Sequence, residues 1–182
     1  MTRIEVIIGG FGGQGSVLAG AVLGRAAVYD GKKVAQSRSY GAEARGGAAR
    51  SEVIMCDEEI DYPMVIEADI LIAMSQPAFD RYIARVKANA IIIIDEDLVT
   101  PKQELPEGVK VIKIPATRIA SKELEKPMVA NIIMLGALVA TTRIVTYESL
   151  VKSIKESVSK EMEKVNIEAL RKGQELAEAL RA

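Results

Sequence analysis

Two stretches, "DILIAMS" (69–75) and "AIIIID" (90–95), are apolar at nearly every position instead of every second one. A strand with one face in water alternates polar and apolar residues; a strand without that alternation is buried on both faces. Burial on both faces needs helices above and below, and the sheet that accepts such layers is largely parallel. Further strands read from "RIEVIIG" (3–9), "KKVAQSRS" (32–39), "AARSEVIMCD" (48–57) and "VKVIKIPA" (109–116). Helical patterns lie between them. "GSVLAGAVLGRAAVYDG" (15–31) ends at Gly31 and carries Gly20 and Gly24, small residues suited to lying close against a sheet. "QPAFDRYIARVK" (76–87) has Pro77 in its first turn, where the missing N–H does no harm. "KPMVANIIMLGALVATTRI" (126–144) is almost wholly apolar and so is read as a buried helix. "TYESLVKSIKESV" (146–158) carries Leu150, Val151, Ile154 and Val158 on one stripe, and "VNIEALRKGQELAEAL" (165–180) offers Asn166 as a candidate N-cap. The 182 residues suit a single domain. The predicted class is α/β: one Rossmann-like doubly wound domain over residues 1–182, with a mostly parallel sheet and a helical C-terminal segment.

What the chain lacks narrows its chemistry. A formal net charge of −1 provides no sequence-wide positive field for nucleic acid or an anionic membrane. There is no histidine, which removes the commonest general base and metal ligand. Cys56 stands alone, so no disulfide forms within the chain, and no structural zinc or iron–sulfur cluster is ligated by it unaided. "AIIIID" is far too short to span a bilayer. Arg3 and Glu5 interrupt the first apolar stretch and no small-residue cleavage site follows, so no signal peptide is read and the cytoplasm is the expected compartment.

The first strand-to-helix turn, "IIGGFGGQGSVLAG" (7–20), is rich in glycine, and Gly10, Gly12 and Gly15 satisfy G-x-G-x-x-G. Ligands of α/β sheets collect beyond the carboxyl ends of the strands, and the N-terminus of the following helix points free N–H groups at an anion. The dinucleotide reading also asks for an acid at the end of the second strand. Gln36, Ser37 and Arg38 stand there instead, and Gln14 puts a bulky amide in the turn. Arg38 could meet a 2′-phosphate, so a free-standing NAD(P)-binding protein is one alternative. A tight turn without any ligand, in a module that only assembles with partners, is another.

A second loop, "SRSYGAEARGGAARSEV" (37–53), gathers Arg38, Arg45 and Arg50 around Tyr40, Glu43 and the pair Gly46–Gly47. Arginine forks suit carboxylates and phosphates, and paired glycines can turn backbone N–H groups toward an anion. Following directly on the second strand, the loop is expected on the same rim as the glycine turn. Taken together, "GFGGQGSVLAG" and "SYGAEARGGAARSEVIMCDEEI" resemble the gamma subunit of 2-oxoacid:ferredoxin oxidoreductases, the pyruvate/ketoisovalerate oxidoreductase catalytic-domain family. "ILIAMSQPAFDRY" (70–82), "IPATRIASKEL" (114–124), "VANIIMLGAL" (129–138) and "NIEALRKG" (166–173) extend the resemblance to residue 175 or so.

The resemblance implies a subunit that is inactive alone. The assembly would decarboxylate a 2-oxoacid oxidatively with coenzyme A as co-substrate, giving acyl-CoA, carbon dioxide and reduced ferredoxin. Alpha- and beta-type partner subunits would hold thiamine diphosphate and Mg2+, and an iron–sulfur, ferredoxin-like subunit or domain would hold the clusters. The wording "SYGAEARGG" is most similar to members that handle 2-oxoglutarate; arylpyruvate-specific members are a related possibility. On this reading Gly10, Gly12, Gly13, Gln14 and Gly15 form a turn pressed against the thiamine-bearing subunits or coenzyme A. Arg38, Tyr40, Glu43, Arg45, Gly46 and Gly47 form the adjoining substrate or subunit-interface loop. Ser75 and Gln76 complete the rim, and Asn131 ties a helix to a neighbouring loop. No residue is offered as catalytic, because the cofactor carries the hard chemistry.

Overall fold

The computed structural model describes residues 3–40 and 48–180. In chain order the elements are β1 (Arg3–Phe11), α1 (Ser16–Tyr29), β2 (Lys33–Tyr40), β3 (Ala48–Cys56), β4 (Ala68–Ala73), α2 (Gln76–Tyr82), β5 (Val86–Asp95) and β6 (Lys110–Ile114). Four helices follow: α3 (Ala116–Lys122), α4 (Ala130–Thr142), α5 (Tyr147–Ser157) and α6 (Lys160–Ala179). The strands form one sheet in the order β2-β3-β1-β4-β5-β6. β1, β4, β5 and β6 pair in parallel, while β3 runs antiparallel to both β1 and β2. β2 therefore points the same way as β1 but lies one strand away from it.

The non-alternating runs occupy the middle of the sheet. Ile70, Ile72 and Ile93 face a core shared with α1, α3, α4, α5 and α6, whereas Leu71, Ile92 and Ile94 face a second core with α2. Each such side chain contributes about 1.5–3 kcal/mol by leaving water, which is why the register of these strands is firmly set. The connection after β1 lies on one face and that after β4 on the other, so the topological switch point falls between β1 and β4. The carboxyl ends of the two strands meet there, and Met74 N donates to Gly9 O.

Small residues set the helix-to-sheet and helix-to-helix distances. A Cβ on Gly20 would collide with Ser51 Oγ of β3, as expected of a small residue on the helix face that lies against the sheet. On α4, whose residues Asn131–Ala140 are all buried, a Cβ on Gly136 would collide with Leu170 O of α6. A Cβ on Gly173 of α6 would collide in turn with Ile133 O of α4.

Three local expectations are corrected. The helix expected over 76–87 stops at Tyr82, passes through a 3-10 turn at Ile83–Arg85, and gives way to β5 at Val86. β-Branched Val86 and the apolar positions after it pair with β4 instead of extending a helix. Asn166 is not an N-cap: α6 begins six residues earlier, after Ser159, and Asn166 is buried inside it. Its Nδ2 donates to Met162 O at 2.8 Å, which satisfies the amide within the helix. The strand expected over 109–116 ends at Ile114, and after Pro115 the chain turns into α3 from Ala116.

Candidate functional site

The glycine turn sits at the switch point, and its own side chain builds it. Gln14 N donates to Phe11 O at 3.1 Å, and Gln14 Oε1 accepts from Phe11 N at 2.6 Å. Gln14 Nε2 donates to Met74 O at 2.8 Å, which stitches the turn to the end of β4. A Cβ on Gly10 would come to 2.7 Å from Gln14 Oε1, so the small residue there is what admits the amide. Gly13 and Gly15 take φ of 98° and 76°, a region L side chains avoid. From α4, Asn131 Nδ2 donates to Gly15 O at 3.0 Å, and a Cβ on Gly15 would strike that same amide nitrogen.

Two clefts flank this turn. One, of about 430 Å³, lies beyond the ends of β1, β4 and β5 and is lined by Gly13, Gln14, Met74, Asp95, Thr117 and Met128. The other, of about 360 Å³, is lined by Gly13, Leu18, Met128, Asn131, Met162 and Asn166. Gly13 and the exposed Met128 border both. α1 has no side-chain cap at Gly15, so amides of its start are left to other partners near these clefts. The start of α4 is satisfied from within, Ala130 N donating to Pro127 O and Ile132 N to Asn131 Oδ1.

Asp95, at the carboxyl end of β5, is buried in the wall of the first cleft. Its Oδ2 accepts from Thr117 N at 2.9 Å and Thr117 Oγ1 at 2.6 Å, and its Oδ1 accepts from Asp97 N at 3.1 Å. Burial nevertheless raises its pKa above the ordinary carboxyl value, the hydrogen bonds offsetting only part of that. Asp95 thus fastens the start of α3 to the sheet.

The remaining candidate residues fall into three groups. Ser75 is buried as the N-cap of α2, its Oγ accepting from Ala78 N, and Gln76 is engaged with Asp80 and with Thr100 N. Arg38 and Tyr40 are exposed on edge strand β2. Tyr40 and Gly10 both pair with Ala49, so β2 ends level with the turn and two strand spacings away, about 10 Å. Glu43, Arg45, Gly46 and Gly47 lie outside the described residues. Met74, Met128, Asp95 and Thr117 were not singled out from the sequence; only Asp95 carried a signal, as an acid directly after a buried strand. The intervening β3 also removes the adjacency of β1 and β2 on which the dinucleotide reading of Gln36, Ser37 and Arg38 rests.

Comparison with known proteins matches the pyruvate ferredoxin/flavodoxin oxidoreductase family over residues 5–176. The 2-oxoglutarate synthase subunit KorC of Methanocaldococcus jannaschii is 51% identical over 179 residues, which cover 98% of this chain and 96% of that one. The pyruvate synthase subunit PorC of Methanothermobacter marburgensis is 32% identical over 171 residues, covering 92% and 94% of the two chains. The solved keto/oxoacid ferredoxin oxidoreductase gamma subunit of Geobacter sulfurreducens superposes with a TM-score of 0.84 at 38% identity, covering 98% of this chain and 99% of that one. The chain belongs to the pyruvate ferredoxin/flavodoxin oxidoreductase family, as a subunit of the 2-oxoacid:ferredoxin oxidoreductase class.

Proposed function

We propose that the chain is the gamma subunit of a 2-oxoglutarate:ferredoxin oxidoreductase, working in the cytoplasm with coenzyme A as co-substrate. The observation that carries this reading is the 51% identity, end to end, with a 2-oxoglutarate synthase subunit. One buried cysteine and no histidine do not suit an iron–sulfur cluster, and these are assigned to a ferredoxin-like partner. Thiamine diphosphate, bound by alpha- and beta-type partners with Mg2+, supplies the carbanion-stabilising chemistry. This chain's share is a shaped wall. Gly10–Gly15 present backbone to the partner's reaction centre, and the hydrogen bonds of Gln14 and Asn131 hold that backbone in place. The uncapped start of α1 favours an anionic group at the same place, as a 2-oxoacid carboxylate or a coenzyme A phosphate would supply.

The test is co-expression with the thiamine-binding and iron–sulfur chains of the same source, followed by affinity purification on this chain. The complex should reduce ferredoxin with 2-oxoglutarate and coenzyme A, with a kcat/KM at least about tenfold above that for pyruvate or 2-oxoisovalerate. Failure to retain thiamine-binding chains would overturn the subunit assignment, and a preference for pyruvate would overturn the substrate.

A further inference from the structure

Strand alternation turns Ser51 and Val53 of β3 toward α1 and leaves Arg50, Glu52 and Ile54 on the opposite face, with α2. α2 packs on β1 and β4. Among the described residues, the β2–β3 half of that face presents Ser37 and Ser39, with Arg50 and Glu52 reaching the end of α2 and the turn after it. Glu52 is buried, and its Oε1 lies 2.8 Å from Arg85 Nη1 and 3.3 Å from Arg50 Nε. Arg85 is further bonded to the carbonyls of Val65 and Ile66. Arg50 is not: its Nε is buried and, among the described residues, makes no hydrogen bond, the contact with Glu52 being ionic only.

The ring of Tyr82 gathers a second cation. Arg50 Cζ stands 5.8 Å from the ring centroid and Arg81 Cζ 5.7 Å from the same centroid. The ring itself is fixed, because it lies against Gly9, where a Cβ would come to 3.0 Å from Cδ2 and Cε2. Arg50 and Arg85 thus share one buried carboxylate, Arg81 joins Arg50 at the Tyr82 ring, and Asp80, held by Gln76 Nε2, is a second carboxylate on α2 against three guanidinium groups. The excess is positive. It sits on guanidinium forks whose planar donors suit a two-oxygen acceptor, and an engaged fork regains what desolvation took from it.

We infer that Arg50 and Arg81, ranged around Tyr82, form an oxyanion clamp for a phosphate or carboxylate carried by a ligand of the assembled enzyme. Glu52 positions Arg50 from behind, and Ser39, paired in register with Arg50, adds an exposed hydroxyl beside it. That the ligand belongs to a 2-oxoacid oxidoreductase rests on the function proposed above; the clamp itself does not.

The full chain, labelled with ¹⁵N, is titrated separately with inorganic pyrophosphate and with glutarate while the arginine Nε–Hε resonances are followed by NMR. The Arg50 and Arg81 signals should shift saturably with at least one anion, and the anion that binds more tightly distinguishes phosphate from carboxylate. Arg81→Gln, on the exposed surface of α2, should weaken that binding by about tenfold, the loss of one charge-assisted contact. Arg50→Gln should weaken it at least as much. Signals that do not move, or that saturate equally in both variants, would overturn the clamp. In the assembled complex, Arg81→Gln should raise KM for the 2-oxoacid or coenzyme A by a similar factor, with little change in kcat. Unchanged KM for both would overturn the assignment to an enzyme ligand. A complex inactive toward every 2-oxoacid would count against the function, and the titration would still decide the clamp.

Discussion

Gln14 spends both ends of its amide inside the chain, on Phe11 N and Met74 O, so its place in the turn is to shape backbone. Gly15 and Asn131 form the second support. Replacing Gly15 by Ala forces a side chain into φ 76° and against Asn131 Nδ2, and should lower stability by about 1–3 kcal/mol. Part of that cost should vanish in the Asn131→Ala background, where nothing remains to collide with. Gly13→Ala is the control: its φ of 98° is strained too, but no atom stands within 4 Å of the added carbon, so Asn131→Ala should leave its cost unaltered. Urea unfolding of the single and double variants reads the coupling, and strictly additive costs for Gly15 and Asn131 would refute it. The glycines were legible because a strand, a glycine cluster and a helix follow one another along the chain. The partner of Gly15 was not, since Asn131 is 116 residues away and only the fold brings it near. Asn166 misled for a related reason: asparagine favours caps because it competes for backbone groups, and here it satisfies itself on the carbonyl four residues back.

At the scale of elements, the run "AIIIID" announced a doubly buried strand because its side chains carry that information themselves. The direction of β3 was not announced. Apolar spacing looks the same whichever way a strand runs, so the insertion of β3 between β2 and β1 depends on pairing that no local pattern records. α3, of seven residues, is too short to show a helical period, and Asp95 and the sheet hold it in place. The crossing of α4 and α6 offers the sharper test. Alanine is intrinsically the better helix former by about 1 kcal/mol, so on propensity alone Gly136→Ala and Gly173→Ala would stabilise. Both positions instead face the partner helix's backbone carbonyl, a group that cannot swing aside. Each substitution should therefore destabilise by about 1–3 kcal/mol net, measured by denaturant unfolding. A gain in stability at either position would mean that the helices part easily and that their close approach is not what holds the helical layer to the sheet.

For the molecule as a whole, two carboxyl groups fasten opposite ends of the domain, and acid acts on them with opposite sign. Asp95 lies at the end where the parallel strands finish, and burial, its largest influence, raises its pKa. Asp30 caps the far end of α1 and reaches the start of α5, where it accepts from Thr146 N at 2.6 Å, Thr146 Oγ1 at 2.8 Å and Ser149 Oγ at 2.5 Å. Burial, again the largest single influence on Asp30, pushes its pKa up, but the bonds from Ser149 and Thr146 with the charge of Lys32 together bring it below the ordinary value. A lowered carboxyl pKa means the folded state holds the proton less tightly than the unfolded chain. Its contribution is present above about pH 4 and is lost as pH falls through the folded value. A raised one contributes fully below that range and is lost as pH rises through the folded value. The stability difference between wild type and Asp30→Asn should therefore narrow on acidification, whereas that between wild type and Asp95→Asn should move in wild type's favour. Unfolding free energies of the three proteins between about pH 3 and pH 6 test this, a window spanning the unperturbed carboxyl pKa. Opposite slopes are required: parallel profiles would mean that the two ends are not held by carboxylates in the two environments described.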